Sequence, residues 1–311
     1  MPRSLAMEIL SAIASSALAG RHHEDGPSVD RDFDVGDFQS IEVAGPFDVA
    51  IRTGDPASVH AAGPEWAIEN LIVEVRGDRL FVGCDGDCDG DLSMEITVPK
   101  LRALRIAGSG DTSVDHASGE TFECASSGSG DLSIDSIDVE TLKLSSAGSG
   151  DVRIDKIRAT DFDVTMMGSG DLLLDAVEGS NFKLTMNGSG DAQVDDYCGD
   201  SLEARLTGSG DLGIDMAEVS AIKLALFGSG DVLIDGGRSD SATLETAGSG
   251  DIKAEGLEVQ NASISVYGSG DISARIMARA EITVMGSGDV SVRGGCRCSV
   301  SGGGSGEVRC S

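Results

Sequence analysis

One tetrapeptide, Gly-Ser-Gly-Asp, returns along this chain at a fixed interval, and that interval decides what the chain can fold into. It begins at Gly108, Gly128, Gly148, Gly168, Gly188, Gly208, Gly228, Gly248, Gly268 and Gly286. A further copy, Gly304-Ser305-Gly306-Glu307, ends the run. Eight intervals are 20 residues, and the last two, 268 to 286 and 286 to 304, are 18. A fixed period of this size marks a solenoid, in which each copy makes one coil and touches only its neighbours.

The side-chain pattern gives the kind of coil. Four residues before the first glycine of each copy stand Leu104, Cys124, Leu144, Val164, Leu184, Ala204, Leu224, Leu244, Ile264, Ile282 and Val300, all apolar. Six residues after it stand Val114, Ile134, Ile154, Leu174, Val194, Ile214, Ile234, Ala254, Ala274 and Val292. The column at four residues after, from Thr112 and Leu132 to Val290, is nearly as apolar. These offsets are even, and a period of two is the strand signature, because successive side chains point to opposite faces. Ser and Asp of the tetrapeptide fall on the outward phase and both glycines on the inward one. The expectation is a glycine corner with no room for a Cβ, one strand before it, one strand after it, and a variable return loop. The 18-residue copies keep both flanking columns, so their two missing residues come out of that loop. The fold class is therefore all-β, a solenoid with coils of about 20 residues.

A degenerate copy lies upstream. Ile41, Val43, Gly45, Phe47, Val49 and Ile51 share one phase, and Gly45-Pro46-Phe47-Asp48 aligns with the tetrapeptide. Less regular strands follow at Leu71–Val75, Leu80–Val82, Met94–Val98 and Leu101–Ile106, with Trp66 among them as packing. End coils must close the core against water, so an irregular β cap is expected over 37–107, with the regular solenoid at 108–311. Residues 1–30 read as a signal peptide or a disordered leader. Met1 to Gly20 carries Arg3, a small apolar stretch broken by Glu8, and Ala17-Leu18-Ala19 as a cleavage site. No stretch is long and apolar enough to span a bilayer.

Ser40-Ile41-Glu42-Val43-Ala44-Gly45-Pro46-Phe47-Asp48-Val49, then Ile96-Thr97-Val98-Pro99 with Leu101 and Leu104, then the repeated Gly-Ser-Gly-Asp, resemble the putative auto-transporter adhesin head GIN domain family over about residues 37–311. The resemblance implies a single-chain right-handed parallel β-helix, exported in bacteria, with adhesin-like character and no established activity. It supplies no binding residues. Without a membrane barrel after Ser311 in this sequence, the chain is expected to depart from a true autotransporter.

Charge narrows the chemistry. With 53 acidic and 23 basic residues the formal charge is −30. Such a surface repels nucleic acid and anionic lipid and suits a soluble rod or one that holds cations. The repeat stacks Asp111, Asp131, Asp151, Asp171, Asp191, Asp211, Asp231, Asp251, Asp271 and Asp289 in one row. A second row runs from Asp115 to Asp235 and Glu255, ending in Arg275 and Arg293. Carboxylates ~5 Å apart repel by about 1 kcal/mol in water. Relief could come from backbone N–H groups of the corner in an Asx-turn, from bridging cations such as calcium, or from partial protonation. Asp85, Asp87 and Asp89 open like a calcium loop, but position twelve is Ile96 where that loop needs Glu. Nonapeptide calcium repeats and phosphate-binding glycine loops fit neither the period nor the Asp beside the glycines.

Seven cysteines leave at least one thiol unpaired in the monomer; Cys84–Cys88 and Cys298–Cys310 are the candidate disulfides, and the spacing disfavours zinc. The outward residue before each copy is mixed (Met167, Asn187, Thr207, Phe227, Tyr267, Met285), either scattered exposure or a contact stripe. His22, His23, His60 and His116 form no cluster. Ten equivalent copies offer no unique constellation for catalysis. The function read from the sequence is an exported structural or interaction module, periplasmic or at the cell surface, with a cell-surface or polysaccharide partner and scope for end-to-end or side-by-side self-association. Its rivals are a calcium-dependent binding protein and a polysaccharide-active β-helix.

Overall fold

The structure, a computed structural model, describes residues 27–311 except Asp89. It is a β-solenoid of about ten turns, 72% strand and 2% helix. The leader expected at Met1–Gly20 lies outside the described residues. Ser28–Asp30, at the end of the segment assigned to that leader, instead open a strand.

The cap consists of β1 (Ser28–Phe33), β2 (Ser40–Ala44), β3 (Asp48–Thr53), β4 (Ser58–Pro64), a short helix α1 (Glu65–Glu69), β5 (Leu71–Arg76), β6 (Arg79–Cys84), β7 (Ser93–Val98) and β8 (Ala103–Gly108). β1 pairs antiparallel with β4, and Asp32 of β1 accepts a 2.8 Å hydrogen bond from His60 of β4. That bond raises the His60 pKa above its usual 6.5. Trp66 of α1 packs partly buried against the core.

Six coils follow as long bent strands: β9 (Thr112–Gly128), β10 (Leu132–Gly148), β11 (Val152–Gly168), β12 (Leu172–Gly188), β13 (Ala192–Gly208) and β14 (Leu212–Gly228). Then come β15 (Val232–Ile234), β16 (Gly237–Thr246), β17 (Ile252–Val266), β18 (Ile272–Val284), β19 (Val290–Arg293), β20 (Arg297–Gly302) and β21 (Val308–Cys310). Within the regular coils, pairing is parallel and joins each residue to the one 20 positions on, as in Ile134 with Ile154 and Leu144 with Val164. The three columns expected inside are buried, with one exception. Val300 is 55% exposed, because β20 is stacked on β18 alone and no further coil covers its inner side among the described residues.

The return segment is not a loop. Each coil has three faces, seen between β10 and β11 as pairing over 132–134, 136–139 and 141–148 with breaks between them. The middle face buries its own column, Ala117, Ile137, Ile157, Val177, Tyr197 and Ala217. Its inward positions are odd offsets from the glycine. The phase slips once after Val114 and again before Phe122, so the segment breaks the alternation of its flanks while keeping its own. The third face opens with another buried column that includes Phe122, Phe162 and Phe182; the Phe162 and Phe182 rings stack at 4.6 Å. The 18-residue coil is shortened on the middle face. Between Ala254 and Asn261 the register to β18 shifts, and only Glu258 with Arg275 and Val259 with Ile276 pair there.

The glycines are explained by the coil beneath them. A Cβ on Gly150 would lie 2.0 Å from the carbonyl oxygen of Gly130, and one on Gly148 would lie 2.0 Å from that of Gly128. The obstacle is the equivalent backbone of the preceding coil, not the opposite wall. No rotamer change can relieve such an overlap, because the atom in the way belongs to the main chain. Ser149 N–H donates to Gly128 O at 3.0 Å, so the approach that excludes a Cβ also makes a hydrogen bond.

A single methyl group should therefore read out the stacking. Gly190→Ala would bring its Cβ to 2.1 Å from Gly170 O and is expected to lower the unfolding free energy in urea by about 1–3 kcal/mol. Gly303→Ala, where nothing lies within 4 Å, is expected to change it by less than ~0.5 kcal/mol.

Candidate functional site

The repeat aspartates form a continuous ladder. Asp131 N–H donates to Asp111 Oδ1 at 2.9 Å, Asp151 N–H to Asp131 Oδ1 at 2.8 Å, and Asp171 N–H to Asp151 Oδ1 at 2.8 Å. The series continues coil by coil to Asp289 N–H on Asp271 Oδ1 at 2.7 Å and Glu307 N–H on Asp289 Oδ1 at 2.7 Å. It starts one coil earlier than the tetrapeptide does, since Asp111 N–H donates to Asp48 Oδ1 at 2.9 Å. The relief is thus not a local Asx-turn within one corner. Each carboxylate takes the amide of the next coil, a charge-assisted bond across the stack. Oδ1 makes this bond, and Oδ2 takes no part in it.

One protein cation shows what those outer oxygens accept. Lys253 Nζ lies 3.1 Å from Asp231 Oδ2 and 3.4 Å from Asp251 Oδ2, bridging two rungs. The Asp251 N–H, with Lys253 behind it, holds the Asp231 carboxyl below its usual 3.8, while Asp231 raises the Lys253 pKa above 10.5. The second acidic row is tied differently. Asp115 accepts from Thr53 N–H at 2.9 Å, Arg153 reaches Asp155 at 3.0 Å and also Asp175, and Gln193 reaches Asp215 at 2.7 Å.

Beside the ladder runs an open groove of about 1180 Å³, from Asp48 and Glu95 to Lys253. Ladder carboxylates form one side. The other side is the outward row of Ser113, Ser133, Arg153, Leu173, Gln193 and Leu233, with the backbone of the buried Thr112 and Leu132 column as floor. The sequence displays both rows. The concavity between them is not revealed by a period alone.

The other singled-out residues lie apart from this groove. Asp85 and Asp87 are exposed between β6 and β7, where Asn70 Nδ2 donates to Asp87 O at 2.8 Å. Asp89 lies outside the described residues. Among the described residues no group of three His, Cys, Asp or Glu side chains is placed to hold a metal ion. Disulfides join Cys84 to Cys88 and Cys298 to Cys310. Cys124, Cys198 and Cys296 are thiols; burial pushes the Cys124 thiol up to about 12. Tyr197 is buried, its pKa raised by desolvation, and its hydroxyl donates to Ser201 O at 2.7 Å. Met167, Tyr267 and Met285 are exposed, whereas Phe227 is covered by Arg205, whose guanidinium lies 4.2 Å from the ring centre. Among the described residues no helix is long and apolar enough to cross a membrane.

Compared with known proteins, the chain matches the family model described as "Putative auto-transporter adhesin, head GIN domain" over residues 37–215 and 195–296. No curated protein matches it. Among solved structures it is similar to a putative lipid binding protein from Parabacteroides distasonis, with 20% identity, TM-score 0.44, and coverage of 92% of this chain and 97% of that one. It is also similar to a putative adhesin from the same organism, with 17% identity, TM-score 0.37 and coverage of 92% and 98%. A putative adhesin from Bacteroides fragilis matches with 16% identity, TM-score 0.31 and coverage of 92% and 97%.

Hydrogen bonding and charge in the ladder separate cleanly by substitution. Asp171→Ala removes the acceptor for Asp191 N–H and is expected to cost about 0.5–1.5 kcal/mol in urea unfolding. Asp171→Asn keeps an Oδ1 acceptor and removes one charge from a repelling row, so its stability is expected to equal or exceed that of the wild type.

Proposed function

The chain belongs to the putative auto-transporter adhesin, head GIN domain family, and we propose that it is an exported, non-catalytic binding rod that holds an extended cell-surface partner along the ladder groove. The observation that carries this reading is the groove itself. It spans the coils from Asp48 to Lys253 without interruption, with the same backbone geometry repeated at each step. A site built by repetition offers many equal contacts to a long partner. It does not set two groups apart with opposed proton affinities, which acid–base chemistry requires. Arg153, Leu173, Gln193 and Leu233 break the uniformity of the outer row, giving a partner a defined register. Export rests on the Met1–Gly20 segment and places the rod in the periplasm or on the cell surface. Stacking at ~4.8 Å per coil makes a stiff spacer with little conformational entropy to lose on binding.

Beads coated with the purified chain are expected to clump intact bacterial or epithelial cells. A Ser113→Arg, Ser133→Arg variant, altered only at exposed groove positions, is expected to lose at least about tenfold in that activity. Clumping no greater than with bare beads, or undiminished in the variant, would reject the reading.

A further inference from the structure

The third face of the coil is unlike the rest of the molecule. Its fourteen strands run in the order β5, β6, β2, β8, then the last segments of β9 to β14, β16, β17, β18 and finally β20. Beside a fourth row that lies seven residues before each repeat glycine and carries Asp161, Arg279 and Arg297, three outward rows cover its middle. They lie five, three and one residue before each repeat glycine, and the cap strands extend them by register. Together these three rows hold seven basic and seven acidic side chains, so the middle of the face is neutral in a chain of formal charge −30. Only here can another copy approach without meeting a wall of like charge.

The order of those charges is self-complementary. The row five before the glycines reads Glu123, Lys143, Asp163, Lys183, Glu203, Lys223. A two-fold axis in the interface and parallel to the strands turns the coil order round while keeping each row opposite itself. Placed midway between Asp163 and Lys183, such an axis sets Asp163 against the second copy's lysine at 183, Lys143 against its glutamate at 203, and Glu123 against its lysine at 223. That midpoint is also the middle of the fourteen strands, seven on each side. The same operation brings Arg79 opposite Glu281 and Arg105 opposite Glu245, and no like charges meet.

Side-chain size obeys the same operation. In the row next to the glycines each bulky side chain falls opposite a smaller one, and exposed Met167 faces Asn187 across the axis. Met285 falls opposite Gly83, Tyr267 opposite Ala44, and Phe227 opposite Ser127. We infer that this face is the interface of an antiparallel side-by-side homodimer, in which the third faces of two copies pack across a two-fold axis between the Asp163 and Lys183 coils. Fourteen strands ~4.8 Å apart and three outward residues ~6.8 Å apart give a face of roughly 1,300 Å² per copy, above the ~800 Å² per partner of a standard interface. The first face, with its groove, stays open on both copies.

Alternating charge also supports neighbouring coils within one copy. Lys223 Nζ lies 2.8 Å from Glu203 Oε1 and draws the Glu203 pKa down. The test must therefore separate the two roles. Wild-type full chain should sediment at twice 31.8 kDa, and Asp163→Lys should weaken the dimer at least about tenfold. The double swap Asp163→Lys, Lys183→Asp restores opposite charges across the axis. It also leaves like charges side by side within each copy, at 143/163 and 183/203. The inference requires the swap to recover the dimer. A monomeric wild type at about 100 µM, a dimer indifferent to Asp163→Lys, or a swap no better than the single variant would overturn it. Both positions are exposed, so folding is expected to survive each change, checked by circular dichroism.

Discussion

One close approach sets the geometry of this molecule: the carbonyl oxygen of each repeat glycine occupies the place where the next coil's glycine would carry a Cβ. Backbone packed that tightly admits one register. Because the register is 20 residues, every other position is repeated at the inter-strand spacing, and the pattern of a single coil becomes a set of rows. Aliphatic rows seal the interior. The aspartate directly after the glycines is delivered to the one spot from which its carboxylate can take the amide of its successor. The glycine contact and the carboxylate bond support each other, since each fixes the distance the other needs.

Repetition also distributes charge unevenly. The ladder and the second acidic row gather carboxylates near the glycine corner, where Lys253 and Arg153 neutralise only part of the charge and Gln193 adds a hydrogen bond. The middle rows of the third face carry as many basic as acidic side chains. A rod with one strongly acidic grooved side and one neutral flat side has two different surfaces for association. The first suits an extended partner reached through many weak equal contacts. The second suits a copy of the same surface, because its charge order and its bulk reverse across its own midpoint.

Much of this was legible in the sequence because a strand pattern of period two is readable wherever its phase is kept. The columns of Leu144, Leu132 and Ile134 keep one phase across the glycines, and they are inside. The middle face reads as a loop because its apolar residues, such as Ile137 and Ile157, fall on the opposite phase after a corner of one extra residue. Phase slips look like irregularity unless each short segment is judged alone. Val300 carries the right phase but lacks a covering coil, a fact about its neighbours that its own sequence cannot hold. SVDRDF is too polar to announce β1 as a strand; its partner β4 supplies the reason for it. The aspartate row was visible, yet its bonding was assigned to the local corner. The true donor lies a whole coil away and becomes a neighbour only once stacking is fixed.

Amide hydrogen exchange, resolved residue by residue by NMR, tests the central contact most directly. Ser149, Asp151, Ser169 and Asp171 lie at exposed corners, where amides ordinarily exchange with little protection. If successive coils are locked at their glycines, these amides donate to Gly128 O, Asp131 Oδ1, Gly148 O and Asp151 Oδ1. They should then be protected as well as the strand amides of Ile154 and Leu174. Exchange at unprotected rates in these corners, alongside protected strands, would contradict the account.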